Sequence, residues 1–124
     1  MKDKNDNPIL KLTFEFSLEV IKYVEILEEK KKYVIAKQLL RSATSVGANV
    51  REAQNAESKA DFIHKMKIAC KEADETLYWL ELCNAADNYP TNNELEEKIF
   101  IIIKVLSKIV GSSKSKAKIV ELSN

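Results

Sequence analysis

The chain has 124 residues, with 20 Lys and Arg, 19 Asp and Glu, one His, two Gly, two Pro and two Cys. That length holds one domain. Four Gly and Pro residues in total cannot supply the turns that a β-sandwich or barrel needs every ~8–12 residues, while 45% apolar content is too high for a disordered chain. No charge-free apolar run approaches the ~18 residues of a membrane span, and the start, Met1 to Pro8, carries no signal-like apolar stretch. The expectation is an all-α domain working in the cytoplasm.

In chain order, Asn7-Pro8 sets the first helix, predicted over 8–29, with Asn as N-cap and Pro at the first helical position. Two apolar lines follow at helical spacing: Leu10, Phe14, Ile21, Val24, and Ile9, Leu12, Phe16, Val20, Tyr23, Leu27. The charged run Glu28 to Lys32 forms the first turn. A second helix, predicted over 33–56, has an inner stripe of Ala36, Leu39, Leu40, Ala43, Val46, Gly47, Val50 and Ala53. Its middle is built of small residues that admit a close neighbour. Gly47 costs ~1 kcal/mol relative to Ala inside a helix, so it implies a packing role or a kink.

The third helix, predicted over 59–88, opens on Ser58-Lys-Ala-Asp61, a loose capping box. Its stripe is Phe62, Met66, Ala69, Ala73, Leu77 and Leu80, flanked by Ile63, Cys70 and Cys83. A second line, Ile68, Trp79, Leu82 and Ala86, lies partly off that face. Thirteen residues of helix hold the cysteines ~20 Å apart, so they read as small core residues in a reducing compartment rather than as a disulfide. Tyr89 to Asn93 breaks the pattern, and Thr91-x-x-Glu94 is a capping box for a fourth helix, predicted over 92–111. Gly111 to Ser115 is expected to end or fray it. The tail 112–124 keeps enough apolar residues to form a helical extension.

Four helices with short links predict an antiparallel up-down-up-down four-helix bundle. Ile99 to Ile103 is apolar on every side of a helix, and the third helix has its extra line. Left exposed, these would exceed the patch tolerated on a monomer. A homo-oligomer is therefore predicted, with Ile68, Trp79, Leu82, Ile102 and Val105 in its interface.

The net charge of +1 conceals strong segregation: −3 over residues 1–29, +7 over 30–71, −8 over 72–97 and +6 over 98–118. One His rules against the paired Glu-x-x-His motifs of di-iron bundles, and Asp61-x-x-His64 is a single step with Asp61 already used as a cap. A hydrolytic triad would have to converge on that same His, and two glycines 64 positions apart make no phosphate loop. The expectation is a non-enzyme with no cofactor and no metal. What remains is basic surface. Lys37, Arg41, Thr44, Ala48, Arg51 and Asn55 share one sector of the second helix, and Lys67 and Lys71 align on the third near His64. Lys37, Arg41, Arg51, Lys67 and Lys71 are the candidate nucleic-acid contacts, directed at phosphates. No aromatics interleave with them in sequence, so base stacking is not indicated. The alternative is that the charge blocks pair with one another, within or between subunits, in a protein scaffold.

Three segments carry a resemblance: Leu39-Leu-Arg-Ser-Ala-Thr-Ser-Val-Gly-Ala-Asn-Val-Arg-Glu-Ala53, Ala56-Glu-Ser-Lys-Ala-Asp-Phe-Ile-His-Lys65 and Ile68-Ala-Cys-Lys-Glu-Ala-Asp-Glu-Thr-Leu-Tyr-Trp-Leu80. Together they resemble the bacterial four-helix-bundle family encoded in intervening sequences of the 23S rRNA gene, a family also labelled ribosomal-protein-like. The resemblance implies an antiparallel bundle in a ring-like homopentamer and no established catalytic activity. The accessory variability protein of diversity-generating retroelements looks like a more distant relative. It is a basic pentamer implicated in binding nucleic acid and reverse transcriptase, whereas this chain is nearly neutral. The matching motif residues Arg41, Ser42, Asn49, Glu52, Glu72, Glu75, Thr76 and Trp79 are expected to set helix register or subunit contacts rather than chemistry.

Overall fold

The computed structural model describes residues 7–123. Four helices account for the fold: α1 (Pro8–Glu29), α2 (Tyr33–Ala53), α3 (Lys59–Ala85) and α4 (Asn93–Ser123). No strand occurs among the described residues. Each helix packs against the next in sequence, and α4 closes back on α1 more loosely. The backbones of the diagonal pairs stay apart, although the Tyr23 side chain of α1 reaches Cys83 of α3. Residues near the end of one helix meet residues near the start of its neighbour. Asn7 bonds Gln54 at 3.1 Å, Ser42 lies beside Thr76, and Asn84 bonds Glu96 at 2.9 Å.

Local chemistry explains the helix ends. The Asn7 side chain accepts from the Ile9 amide, with Pro8 in the first turn. After α1, Lys31 takes a left-handed φ of 62°, the Lys31 amide donates to the Glu28 carbonyl, and the Lys32 amide donates to that of Leu27. This is a Schellman stop with Lys where Gly is usual. Ser58 caps α3 by accepting from the Asp61 amide, while the Asp61 carboxylate accepts from the Glu57 amide. The cap of α4 differs from the expected Thr91–Glu94 box. Asn92 accepts from the Leu95 amide, and Asn84 of α3 both accepts from the Asn92 amide and donates to its carbonyl. A side chain eight positions upstream thus chooses the start of the helix.

α2 passes through Gly47 without a break, so the packing role holds and the kink does not; α4 does not end at Gly111 but runs to Ser123, the tail forming the helical extension. One glycine costs ~1 kcal/mol, and packing on both sides of it outweighs that: Val110 packs on the core and Ser113 is buried.

The core takes one stripe from each helix. Phe16, Val20 and Leu27 meet Leu39, Val46 and Val50, then Met66, Ala73 and Leu80, then Ile99, Ile102 and Leu106. The hydroxyls of Thr13, Ser42 and Thr76 lie inside it. Thr13 donates to the Ile9 carbonyl at 2.8 Å, and the Thr76 and Ser42 hydroxyls are 2.9 Å apart. Among the described residues no buried side-chain polar atom lacks a partner, as a dry core requires. Tyr23 donates to the Pro90 carbonyl and ties α1 to the α3–α4 link. Burial raises its phenol and the neighbouring Cys83 thiol above their ordinary values.

Candidate nucleic-acid interface

The helix order gives the molecule four sides, and the predicted cations divide among three of them. On the α1/α2 side, Gly47 faces Thr13. Arg51 lies one turn on along the same flank, and Leu40, Thr44 and Lys37 extend it in the other direction. Lys37 and Arg51 are exposed there. The neighbouring flank of α1, away from the Glu19 that pairs with α4, carries the exposed apolar residues Phe14 and Ile21, with Leu18 beside them.

The α2/α3 side is a closed electrostatic unit. Arg41 bonds the Glu72 carboxylate at 3.2 Å and also bonds Glu75. The Trp79 indole donates to the same Glu75 oxygen at 3.0 Å. That indole bond, then Arg41, holds the Glu75 carboxyl below its ordinary value. Lys65 pairs with Glu52 at 3.4 Å. Arg41 is therefore not an open phosphate contact but the partner of two carboxylates across a helix seam. The alternative reading, pairing with the acidic 72–97 block, holds for Arg41; a helix wheel could not name the two partners, because it shows neighbours on one helix and not those presented by the next.

The α3/α4 side is different. Lys67 and Lys71 are one turn apart and exposed. Lys67 of α3 stands beside Lys114 of α4 and holds its ammonium below the ordinary lysine range. Lys104 is exposed two helix turns and more before Lys114. Among the described residues no carboxylate makes an ion pair with Lys67, Lys71, Lys104 or Lys114. Sequence reading passed over Lys104, and it passed over Lys114 because it ended α4 at Gly111. A helix continued through that glycine would have aligned them. On the fourth side, Lys98 bonds Glu19 at 2.6 Å and Glu94 at 3.1 Å. Next to that pair is a surface hollow lined by Glu19, Lys22, Asn92, Glu94 and Leu95.

The predicted interface residues also separate. Ile102 is fully buried in the core of the single chain, so its placement on an outward face is corrected. Its neighbours Phe100 and Ile101 are the exposed members of the apolar run, 50% and 52% accessible. Five apolar residues in a row cover a full circle, and only packing decides which of them point out. Trp79 and Val105 are half-buried against the core, Ile68 is half-buried, and Leu82 is exposed.

Among the described residues no three His, Cys, Asp or Glu side chains cluster as metal ligands. Cys70 and Cys83 are free, and burial raises both thiols, which keeps them protonated and poorly nucleophilic at neutral pH. No described helix is long and apolar enough to cross a membrane.

Comparison with known proteins agrees with this architecture. No curated protein matches the chain. A crystal structure of a protein of unknown function from the S23 ribosomal protein family of Bacteroides thetaiotaomicron is similar at 40% identity, with a TM-score of 0.78, covering 82% of this chain and 97% of that one. The family model described as 23S rRNA-intervening sequence protein matches residues 5–109. With four helices, the shared bundle architecture and a match over most of its length, the chain belongs to the 23S rRNA-intervening sequence protein family.

Proposed function

We propose that this protein is a non-catalytic, cytoplasmic, up-down-up-down four-helix bundle that self-associates and binds RNA through its α3/α4 side. The supporting observation is the approach of Lys67 to Lys114 from two different helices with no described carboxylate between them. Two ammonium groups held side by side repel, and an anion between them turns that repulsion into attraction. A phosphate backbone offers such anions in series, and each one bound releases counterions. Self-association is supported by large apolar side chains left in water, foremost Phe14, Leu18 and Ile21 on α1 and Tyr33 and Val34 on α2.

A second reading, a protein scaffold without RNA, is favoured by the ion pairs between oppositely charged blocks, Arg41 with Glu72 and Glu75, and Lys98 with Glu19. Binding of a labelled ribosomal RNA fragment, titrated with salt, separates the two. Under the RNA reading affinity falls linearly on a log–log plot, with a slope of roughly −0.7 to −0.9 per phosphate contact. Lys67→Glu with Lys114→Glu abolishes retention at ~50 mM salt. Arg41→Ala leaves affinity within about two-fold and costs at most ~1 kcal/mol of stability, since its pairs are half exposed. No retention of RNA by the wild-type chain at that salt rejects the reading in favour of the scaffold. A sedimenting species of 14.1 kDa at micromolar concentration rejects self-association.

A further inference from the structure

The α3/α4 side carries more than charge. On α3, Lys67, Lys71 and Tyr78 fall at positions i, i+4 and i+11 of one helix face, all exposed. On α4, Phe100, Lys104, Gly111 and Lys114 fall at i, i+4, i+11 and i+14, also all exposed. Three contacts set the register of the two helices: Asn84 with Glu96, Cys70 with Ser107, and Lys67 with Lys114. Counting ~1.5 Å per residue from the Asn84–Glu96 bond puts Tyr78 and Phe100 within ~3 Å of the same height. The two faces therefore lie side by side, with an aromatic pair at one end and a lysine pair ~15–20 Å away at the other. Tyr78 is 55% and Phe100 50% accessible, far more than core packing explains. The Lys104 ammonium stands 4.6 Å from the centre of the Phe100 ring. Gly111 lies between, and a Cβ there would meet no atom within 4 Å, so the floor of the strip is clear. Asp74 and Glu81 are the acidic residues on this exposed face of α3, and Glu97 lies one turn before Phe100 on α4.

Resting on the RNA reading above, we propose that this strip takes unpaired nucleotides: bases stack on Tyr78 and Phe100 while the phosphates that follow run along Lys104, Lys71, Lys67 and Lys114. Flat aromatic faces next to a row of cations are what a single strand uses, because every base has a face to stack and every linkage a charge. At ~3.4 Å per stacked nucleotide the strip spans about five or six of them. A duplex hides its base faces inside the stack and gains nothing from the aromatic end. The sequence showed no interleaving of aromatics with lysines because the two kinds of residue are brought together by adjacent helices and by stripes whose members are three and four apart.

The test uses the intact protein, a labelled unstructured 12-nucleotide RNA and a 12-base-pair RNA duplex, followed by fluorescence anisotropy at ~50 mM salt. The strand binds at least ten-fold more tightly than the duplex. Tyr78→Ala and Phe100→Ala each weaken strand binding by about 5- to 150-fold and leave duplex binding and the salt slope unchanged, and Tyr78→Phe keeps wild-type affinity. Lys114→Ala instead lowers the magnitude of the strand's salt slope by ~0.7. Equal affinity for strand and duplex, with both alanine variants unaffected, overturns the stacking proposal while the RNA reading survives. Failure to bind either probe overturns both. Alanine variants that bind the strand normally but sediment at lower mass show that the rings join subunits, which also overturns the proposal. Circular dichroism of each variant guards against misfolding as a cause.

Discussion

Substituting Gly47 by Ala tests the packing of α1 on α2 where Gly47 faces Thr13. Gly47 sits inside an uninterrupted helix with no positive φ, so the backbone freedom of glycine is unused there. A Cβ built at this position lies 3.6 Å from the Cβ, the carbonyl oxygen and the hydroxyl of Thr13, which is ordinary van der Waals contact. Alanine therefore gains the ~0.8–1 kcal/mol that separates the two residues in a helix interior, with no offsetting clash. Unfolding entropy of ~2.1 cal/mol/K per residue over this chain length converts that into a rise in Tm of ~3–4 °C. Urea unfolding followed by circular dichroism, with the m-value checked for constancy, measures the change. Gly47→Leu supplies the contrast, because its longer side chain has to displace Thr13 and its buried hydroxyl bond to Ile9; overpacking of this kind costs ~1–3 kcal/mol. If Gly47→Ala lowers stability by 1 kcal/mol or more, the helices approach more closely than described and the reasoning fails.

Two more outcomes are expected. Ile102→Ala lowers stability by ~2–5 kcal/mol per chain, the range for an emptied core site, and leaves the mass of the folded species unchanged; a folded species of lower mass would return Ile102 to an interface. The Glu75 carboxyl is held low by the Trp79 indole and then by Arg41, so its stabilising effect is complete above the unfolded value of ~4.3 and is lost as pH falls through the lower folded value. Trp79 emission should change with a midpoint below pH ~4.3 and lose that step in Glu75→Gln, whereas a midpoint at or above that value contradicts the assignment.

Much of the fold was legible along the chain because its causes are local. The Asn7 and Ser58 caps, the apolar stripe of α2, and the line Ile9, Phe16, Val20, Tyr23, Leu27 all follow from side-chain chemistry within about a turn or from a 3.6-residue period. Errors arose where a distant residue decides. Asn84 overrides the Thr91 box from the preceding helix, and contacts with the bundle carry α4 through Gly111. The candidate site was legible in kind but not in place: a basic character could be counted, but its location could not.

Composition, spacing and charge thus determined that the chain is all-helical, where most helices begin, and that opposite charges are segregated in blocks. Only the tertiary structure decided which cations are neutralised and which stay open. Arg41 meets two carboxylates of α3, while Lys67 meets another lysine. It also decided which residues of the run Ile99 to Ile103 face water. The physical reason is range. Helix formation and capping act over three or four residues of one chain segment, whereas charge pairing and burial depend on which face of another helix arrives opposite, and no pattern within a single helix specifies that.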